Sequence, residues 1–159
     1  MPSGIAQPRT GQGDTGVVSR DPRGTTEATT DRTGPTRRSG MPKILVVDDD
    51  EDTRETIVTM LERDGFDVLE ALDGEDAVTL AQRECPDLVI LDVMMPGMSG
   101  YSVCRRLRDD GLLCETPVLM VTALSMLDDQ LEGITCGADG FMVKPVSRFE
   151  LMTRVWDLL

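Results

Sequence analysis

From residue 43 onward the chain alternates short, unbroken apolar runs with stretches in which apolar side chains return every three or four positions. Lys43-Ile-Leu-Val-Val47 is the first run, and a run without polar interruption predicts a strand covered on both faces. Ile57, Met60 and Leu61 then recur at helical spacing, and Asp64-Gly65 ends that helix. Phe66 to Ala71 reads as a second strand, and Ala77, Leu80 and Ala81 mark a second helix that closes before Pro86. Leu88 to Leu91 is a third strand, followed by a third helix containing Val103 to Leu107. Pro117 to Val121 is a fourth strand, and Leu127, Leu131 and Ile134 give a fourth helix stopped by Gly137. Phe141 to Val143 is a short fifth strand, and Phe149, Met152, Val155 and Leu159 stripe a last helix that runs to the chain end.

Five strand-helix units in this span predict an α/β fold with a parallel sheet and helices on both faces. A closed barrel would need eight such units, so the sheet is open and doubly wound. Residues 1–40 differ in kind. Gly, Pro, Ser and Thr make up 22 of these 40 residues, and only six are apolar. Such a stretch cannot bury enough surface to offset its ordering entropy, so a disordered tail is expected over 1–40 and a folded domain over 41–159. Met41 stands where a compact domain would begin, and a start there would make the tail an upstream extension with no working part.

Composition narrows the chemistry. The 159 residues contain no histidine, which removes imidazole ligands and histidine-based catalysis from within the chain. The net charge of −13 argues against direct nucleic-acid binding by this chain and against an anionic membrane surface. No apolar run reaches the roughly 18 residues of a membrane span, and no secretory leader follows Met1. Cys85, Cys104, Cys114 and Cys136 form no C-x-x-C pair, so reduced thiols in a cytoplasmic protein are expected.

In open parallel sheets the working site lies at the carboxyl ends of the strands. Strand one ends in Val47-Asp48-Asp49-Asp50, strand three in Leu91-Asp92, strand four in Val121-Thr122-Ala123, and strand five in Val143-Lys144-Pro145. Carboxylates, a hydroxyl and one of only two lysines thus converge on one rim. Clustered carboxylates repel one another and favour a hard divalent cation such as Mg²⁺. A carboxylate beside Mg²⁺ can attack phosphorus, and the transferring oxygens then need the cation, an ammonium and neutral donors around them. Thr122 offers a hydroxyl and Ala123 an amide.

The segments KILVVDDDE, DLVILDVMMPGMSG, PVLMVTA and GADGFMVKP give residues 43–159 a resemblance to the receiver domain of two-component response regulators, of the single-domain, chemotaxis-regulator kind. That resemblance implies a flavodoxin-like (βα)5 sheet with strand order 2-1-3-4-5. Asp92 matches the phosphoacceptor. Asp48 and Asp49 match the acidic pair that holds Mg²⁺ together with Asp92, with Asp49 the direct ligand and the Met94 carbonyl the main-chain ligand. Thr122 matches the switch hydroxyl, Lys144 the phosphate-binding lysine with its bond to Pro145 cis, and Phe141 the switch aromatic. Phe141 stands where some members carry tyrosine, and packing alone is the alternative reading of it. The partners so implied are a sensor histidine kinase or a histidine phosphotransfer protein and a downstream protein target. The domain would act as a monomer or a phosphorylation-dependent homodimer. It would be no enzyme beyond its own phosphorylation and autodephosphorylation. With no output domain after Leu159, it would act by binding or by passing the phosphoryl group onward, unless it is cut from a longer regulator.

Several rival readings fail on particular positions. Asp50 and Asp52 read better as a helix start than as ligands, since carboxylates favour helix N-termini. The spacing of Asp48, Asp50 and Asp52 mimics a calcium loop, but its sixth and twelfth places are Thr53 and Thr59. Gly11-Gln-Gly-Asp-Thr-Gly16 follows no strand and opens no helix, and no phosphate-binding P-loop occurs. A Mg²⁺-dependent phosphatase of the haloacid-dehalogenase type is the runner-up. It too would use Asp92 as nucleophile, but it needs an acid/base two residues later, where this chain has Met94. Gly97 and Gly100 read as turn and helix-entry residues.

Overall fold

The computed structural model describes residues 40–123 and 135–159. The tail expected over 1–40, apart from Gly40, and the fourth-helix positions Leu127, Leu131 and Ile134 lie outside the described residues. The elements are β1 (Lys43–Val47), α1 (Glu51–Arg63), β2 (Asp67–Ala71), α2 (Gly74–Glu84), β3 (Leu88–Asp92), α3 (Gly100–Asp109), β4 (Val118–Thr122), β5 (Gly140–Val143) and α4 (Arg148–Leu158). All strand pairs are parallel, in the order β2-β1-β3-β4-β5. Val47 stands opposite Leu91, and Asp92 opposite Val121, so neighbouring strands end together on one rim.

The unbroken apolar runs follow from burial on both faces. Side chains alternate across a strand, so Leu45, Val47, Val89, Leu91, Val118 and Met120 pack under Ala77, Ala81, Val103 and Leu107 of α2 and α3. Ile44, Val46, Leu88, Ile90, Leu119 and Val121 face Ile57 and Leu61 of α1 and Leu151 and Val155 of α4. β3 and β4 are buried at every residue, whereas the edge strands β2 and β5 are largely half-open.

Each described helix opens on a capping side chain. Asp50, Asp73, Ser99 and Ser147 accept a hydrogen bond from the amide of Thr53, Asp76, Ser102 and Glu150 respectively. Such caps are worth about 1 kcal/mol each. The capping role of Asp50 and the place of Asp52 in the first turn of α1 agree with the helix-start reading. Gly65, Gly97 and Gly137 have positive φ (88°, 78° and 90°) at the turns the sequence marks.

Several boundaries and faces differ from the pattern, β3 and β5 each being one residue longer than expected. β2 starts at Asp67, because Phe66 turns into the core and its ring lies 5.0 Å from that of Trp156. β4 runs from Val118 to Thr122, one place later than expected, since Pro117 has no amide to give. Phe149 is not part of the buried stripe of α4: it is 85% exposed, while Leu151 and Val155 are fully buried. Ser147 caps α4 so that positions 151, 155 and 158 face the sheet, and Phe149 lies roughly 200° around the helix from Leu151. None of the four cysteines is in a disulfide; Cys85 and Cys114 are exposed, and Cys104 and Cys136 are buried.

Candidate functional site

The register brings the strand ends together. Asp48 follows β1 directly, Asp92 closes β3, Thr122 closes β4 and Lys144 follows β5. One carboxylate oxygen from each of Asp48, Asp49 and Asp92 lies within 4.8 Å of the others. The Lys144 ammonium reaches into this group, 2.8 Å from Asp48 Oδ2 and 3.2 Å from Asp92 Oδ1. Its own backbone amide donates to the Thr122 carbonyl at 2.9 Å, which fixes the base of the lysine beside the hydroxyl-bearing residue. The bond from Lys144 to Pro145 is cis, as expected.

Asp48, Asp92 and Thr122 are buried, while Asp49 and Met94 are exposed at the rim. Burial pushes the Asp92 carboxyl above the ordinary aspartate value; the Lys144 ammonium opposes this, and the Asp48 and Asp49 charges add to it. Burial also works against the Lys144 ammonium, but the Asp48 and Asp92 carboxylates outweigh it and hold its pKa above the usual lysine value. Asp48 Oδ1 accepts from the Asp50 amide at 3.0 Å. Asp48 Oδ2 is buried; the Lys144 ammonium faces it as an ion pair, and no other donor among the described residues reaches it. A buried carboxylate oxygen short of donors, in an all-oxygen cluster at the rim, fits a small hard cation such as Mg²⁺ and suits a soft metal poorly.

The remaining expected residues take their places around this centre. Met94 lies in the loop after β3 and is 61% exposed. Ala123 is exposed directly after β4. Phe141 on β5 is half-buried against the core beneath α2 and α3. A cleft of about 450 Å³, lined by Asp52, Thr53, Thr56, Lys144, Pro145 and Val146, opens beside the lysine. A larger one of about 570 Å³ lies between α2 and α3, away from the acidic cluster, and brings no convergent set of groups to bear.

Two neighbours of the site escape the pattern of strand ends. Gly100 is one: a Cβ there would meet the Asp92 carbonyl oxygen at 2.2 Å, so its role goes beyond entry to α3. Arg54 is the other. It is buried, and its guanidinium donates to the Asp48 carbonyl at 2.9 Å. The signal was present in the sequence: Arg54 stands three and seven residues before Ile57 and Leu61, on the apolar stripe of α1.

The sequence profile of the response regulator receiver domain matches residues 44–156. The probable transcriptional regulator ycf27 of Porphyridium aerugineum is 44% identical over 117 residues, which are 74% of this chain and 48% of that protein. The DNA-binding dual master transcriptional regulator RpaA of Synechocystis sp. is 42% identical over 119 residues, 75% of this chain and 49% of that protein. Among solved structures, the chemotaxis protein CheY4 of Vibrio cholerae superposes with a TM-score of 0.73 at 33% identity, covering 76% of this chain and 100% of that one. The chain spans about half the length of these curated relatives.

These similarities correct one expectation. The acidic balance suggested that nucleic acid is no partner, yet RpaA is DNA-binding and ycf27 a probable transcriptional regulator. Net charge describes the segment that carries it, not a contact made by another part of a longer protein, so −13 does not exclude a nucleic-acid partner. The dehalogenase-type phosphatase reading is not favoured by any of these similarities.

Proposed function

The chain belongs to the response regulator receiver domain family of two-component signalling, and on that premise we propose that Asp92 accepts a phosphoryl group from a sensor histidine kinase or a histidine phosphotransfer protein. The observation that carries this reading is the Lys144 ammonium held between Asp48 Oδ2 and Asp92 Oδ1 at the end of a parallel sheet. In the transfer an Asp92 carboxylate oxygen attacks phosphorus in line. The P–N bond of the donor phosphohistidine breaks, and the imidazole leaves with the bonding pair and takes up a proton. Mg²⁺ at Asp48, Asp49, Asp92 and the Met94 carbonyl would supply neutralising charge for the phosphoryl oxygens.

The chain's own groups do the rest. Lys144 trades part of its bond to the Asp92 carboxylate for one to a phosphoryl oxygen. Thr122 donates its hydroxyl and Ala123 its amide to the other oxygens. Movement of Thr122 frees space for Phe141 to turn inward. The surface of β5 and α4 then shifts between two states and controls a partner; the fourth-helix part of the expected surface lies outside the described residues. The domain is thus a phosphoacceptor acting on itself rather than an enzyme with a separate substrate. Four cysteines outside any disulfide suit a reducing, cytoplasmic setting.

Incubation with a histidine kinase carrying radiolabelled phosphohistidine tests this reading. Label is expected to move to the parent protein and not to Asp92→Asn. Equal labelling of the variant would place the acceptor elsewhere.

A further inference from the structure

Arg54 is a cation buried beside a cluster of carboxylates, and it does not bond to any side chain of that cluster. Its side chain is 9% exposed. Nη1 donates to the Asp48 carbonyl oxygen at 2.9 Å, and Nε donates to Glu70 Oε2 at 3.0 Å on the edge strand β2. That carbonyl belongs to the peptide joining Asp48 to Asp49, so holding it restricts the backbone from which both carboxylates project. Asp48 is held besides by its amide on Ala71 O at a long 3.4 Å, by Oδ1 accepting from the Asp50 amide at 3.0 Å and by the Lys144 ammonium 2.8 Å from Oδ2; none of these ties is made by the Asp48–Asp49 peptide itself. A buried guanidinium must have acceptors, and a carboxylate would serve it more strongly than a backbone carbonyl. Glu70 supplies the alternative, drawing the planar fork outward so that it grips backbone and leaves the acids open.

Building on the metal-binding reading above, we propose that Arg54 is a positioning residue: it fixes the Asp48–Asp49 peptide so that both carboxylates face Asp92, while Glu70 keeps the guanidinium off them. This makes a prediction opposite in sign to simple electrostatics. Were Arg54 only a nearby positive charge, its removal would tighten binding of a divalent cation. As a positioning group, its removal weakens binding, and loss of such outer supports commonly lowers metal affinity by about 10- to 100-fold.

The test is Mg²⁺ titration by calorimetry of the parent, Arg54→Met, Arg54→Lys and Glu70→Gln, with Ile57→Ala as a core truncation on the same helix. In parallel, hydrogen exchange of the Asp50 amide is followed in metal-free protein. About tenfold weaker Mg²⁺ binding is expected in Arg54→Met and Arg54→Lys, with a smaller loss in Glu70→Gln and parental affinity in Ile57→Ala. Protection of the Asp50 amide is expected to fall in Arg54→Met by more than in Ile57→Ala. Tighter or unchanged binding in Arg54→Met, or parental affinity in Arg54→Lys, would overturn the proposal. If the parent itself does not bind Mg²⁺, the metal reading fails. The Asp50 amide then decides the positioning role alone: selective loss of protection in Arg54→Met upholds it, and parental protection refutes it.

Discussion

A Cβ on Gly100 would sit 2.2 Å from the carbonyl oxygen of Asp92, so the first turn of α3 rests directly on the backbone of the residue proposed to accept the phosphoryl group. The contact is made from both sides, since the Gly100 amide donates to the Val93 carbonyl at 3.1 Å. Gly100→Ala therefore forces either α3 or the end of β3 to move. A loss of about 2–3 kcal/mol in urea unfolding is expected, in the range of overpacked cores. The fraction that still folds is expected to phosphorylate more slowly than the parent, and parental stability would show that the helix can retreat without cost.

Asp92 is costly to keep charged. Its carboxyl lies above the ordinary aspartate value because of burial, with Asp48 and Asp49 adding to it against Lys144. A carboxyl raised on folding binds protons more tightly in the native state, so its ionised form is a penalty present above the folded pKa and relieved as pH falls through it. Metal-free Asp92→Asn is accordingly expected to melt a few degrees above the parent at pH 7. The gap should narrow as pH drops toward 4. A variant less stable than the parent at neutral pH would contradict this.

Substitution of Lys144 is expected to separate metal binding from signalling. Its ammonium occupies carboxylate oxygens that a cation would use, so Lys144→Ala is expected to bind Mg²⁺ at least as tightly as the parent. It should nonetheless lose most of the phosphorylation-dependent change in hydrogen exchange over β5 and α4. A full parental change after phosphorylation would show that the lysine does not link phosphate to surface.

The cysteines divide by burial. Burial, reinforced by the neighbouring Cys136, pushes the Cys104 thiol up to about 12, and Cys136 is buried as well. Since the thiolate is the nucleophile, iodoacetamide at pH 8 should add quickly to Cys85 and Cys114 and slowly to the other two. Mass spectrometry should count two fast adducts in native protein and four in denaturant. Four fast adducts under native conditions would mean that the sheet opens readily between α3 and the entrance to β5.

Much of this site could be read from the chain because the strands that build it are simple. β1, β3 and β4 are covered on both faces, so each shows as an apolar run whose polar end is conspicuous, and Asp48, Asp92 and Thr122 are those ends, while Lys144 follows the short edge strand β5. Helix phase was less legible. Phe149 looks like core by spacing, yet the position of the Ser147 cap turns it outward. The burial of Arg54 was legible from its place on the apolar stripe of α1, but its partner was not, because the acceptor is a backbone carbonyl, which no residue type advertises. The DNA-binding character of a relative could not be read from these residues at all, because net charge speaks only for the segment present.

The most direct measurement is intact mass after incubation with acetyl phosphate, with and without Mg²⁺, on the parent and Asp92→Asn. A single phosphoryl adduct that requires Mg²⁺ and is absent from Asp92→Asn is the predicted result. An adduct of equal yield on Asp92→Asn, or none on the parent at saturating Mg²⁺, would contradict the assignment of Asp92 as the phosphoacceptor.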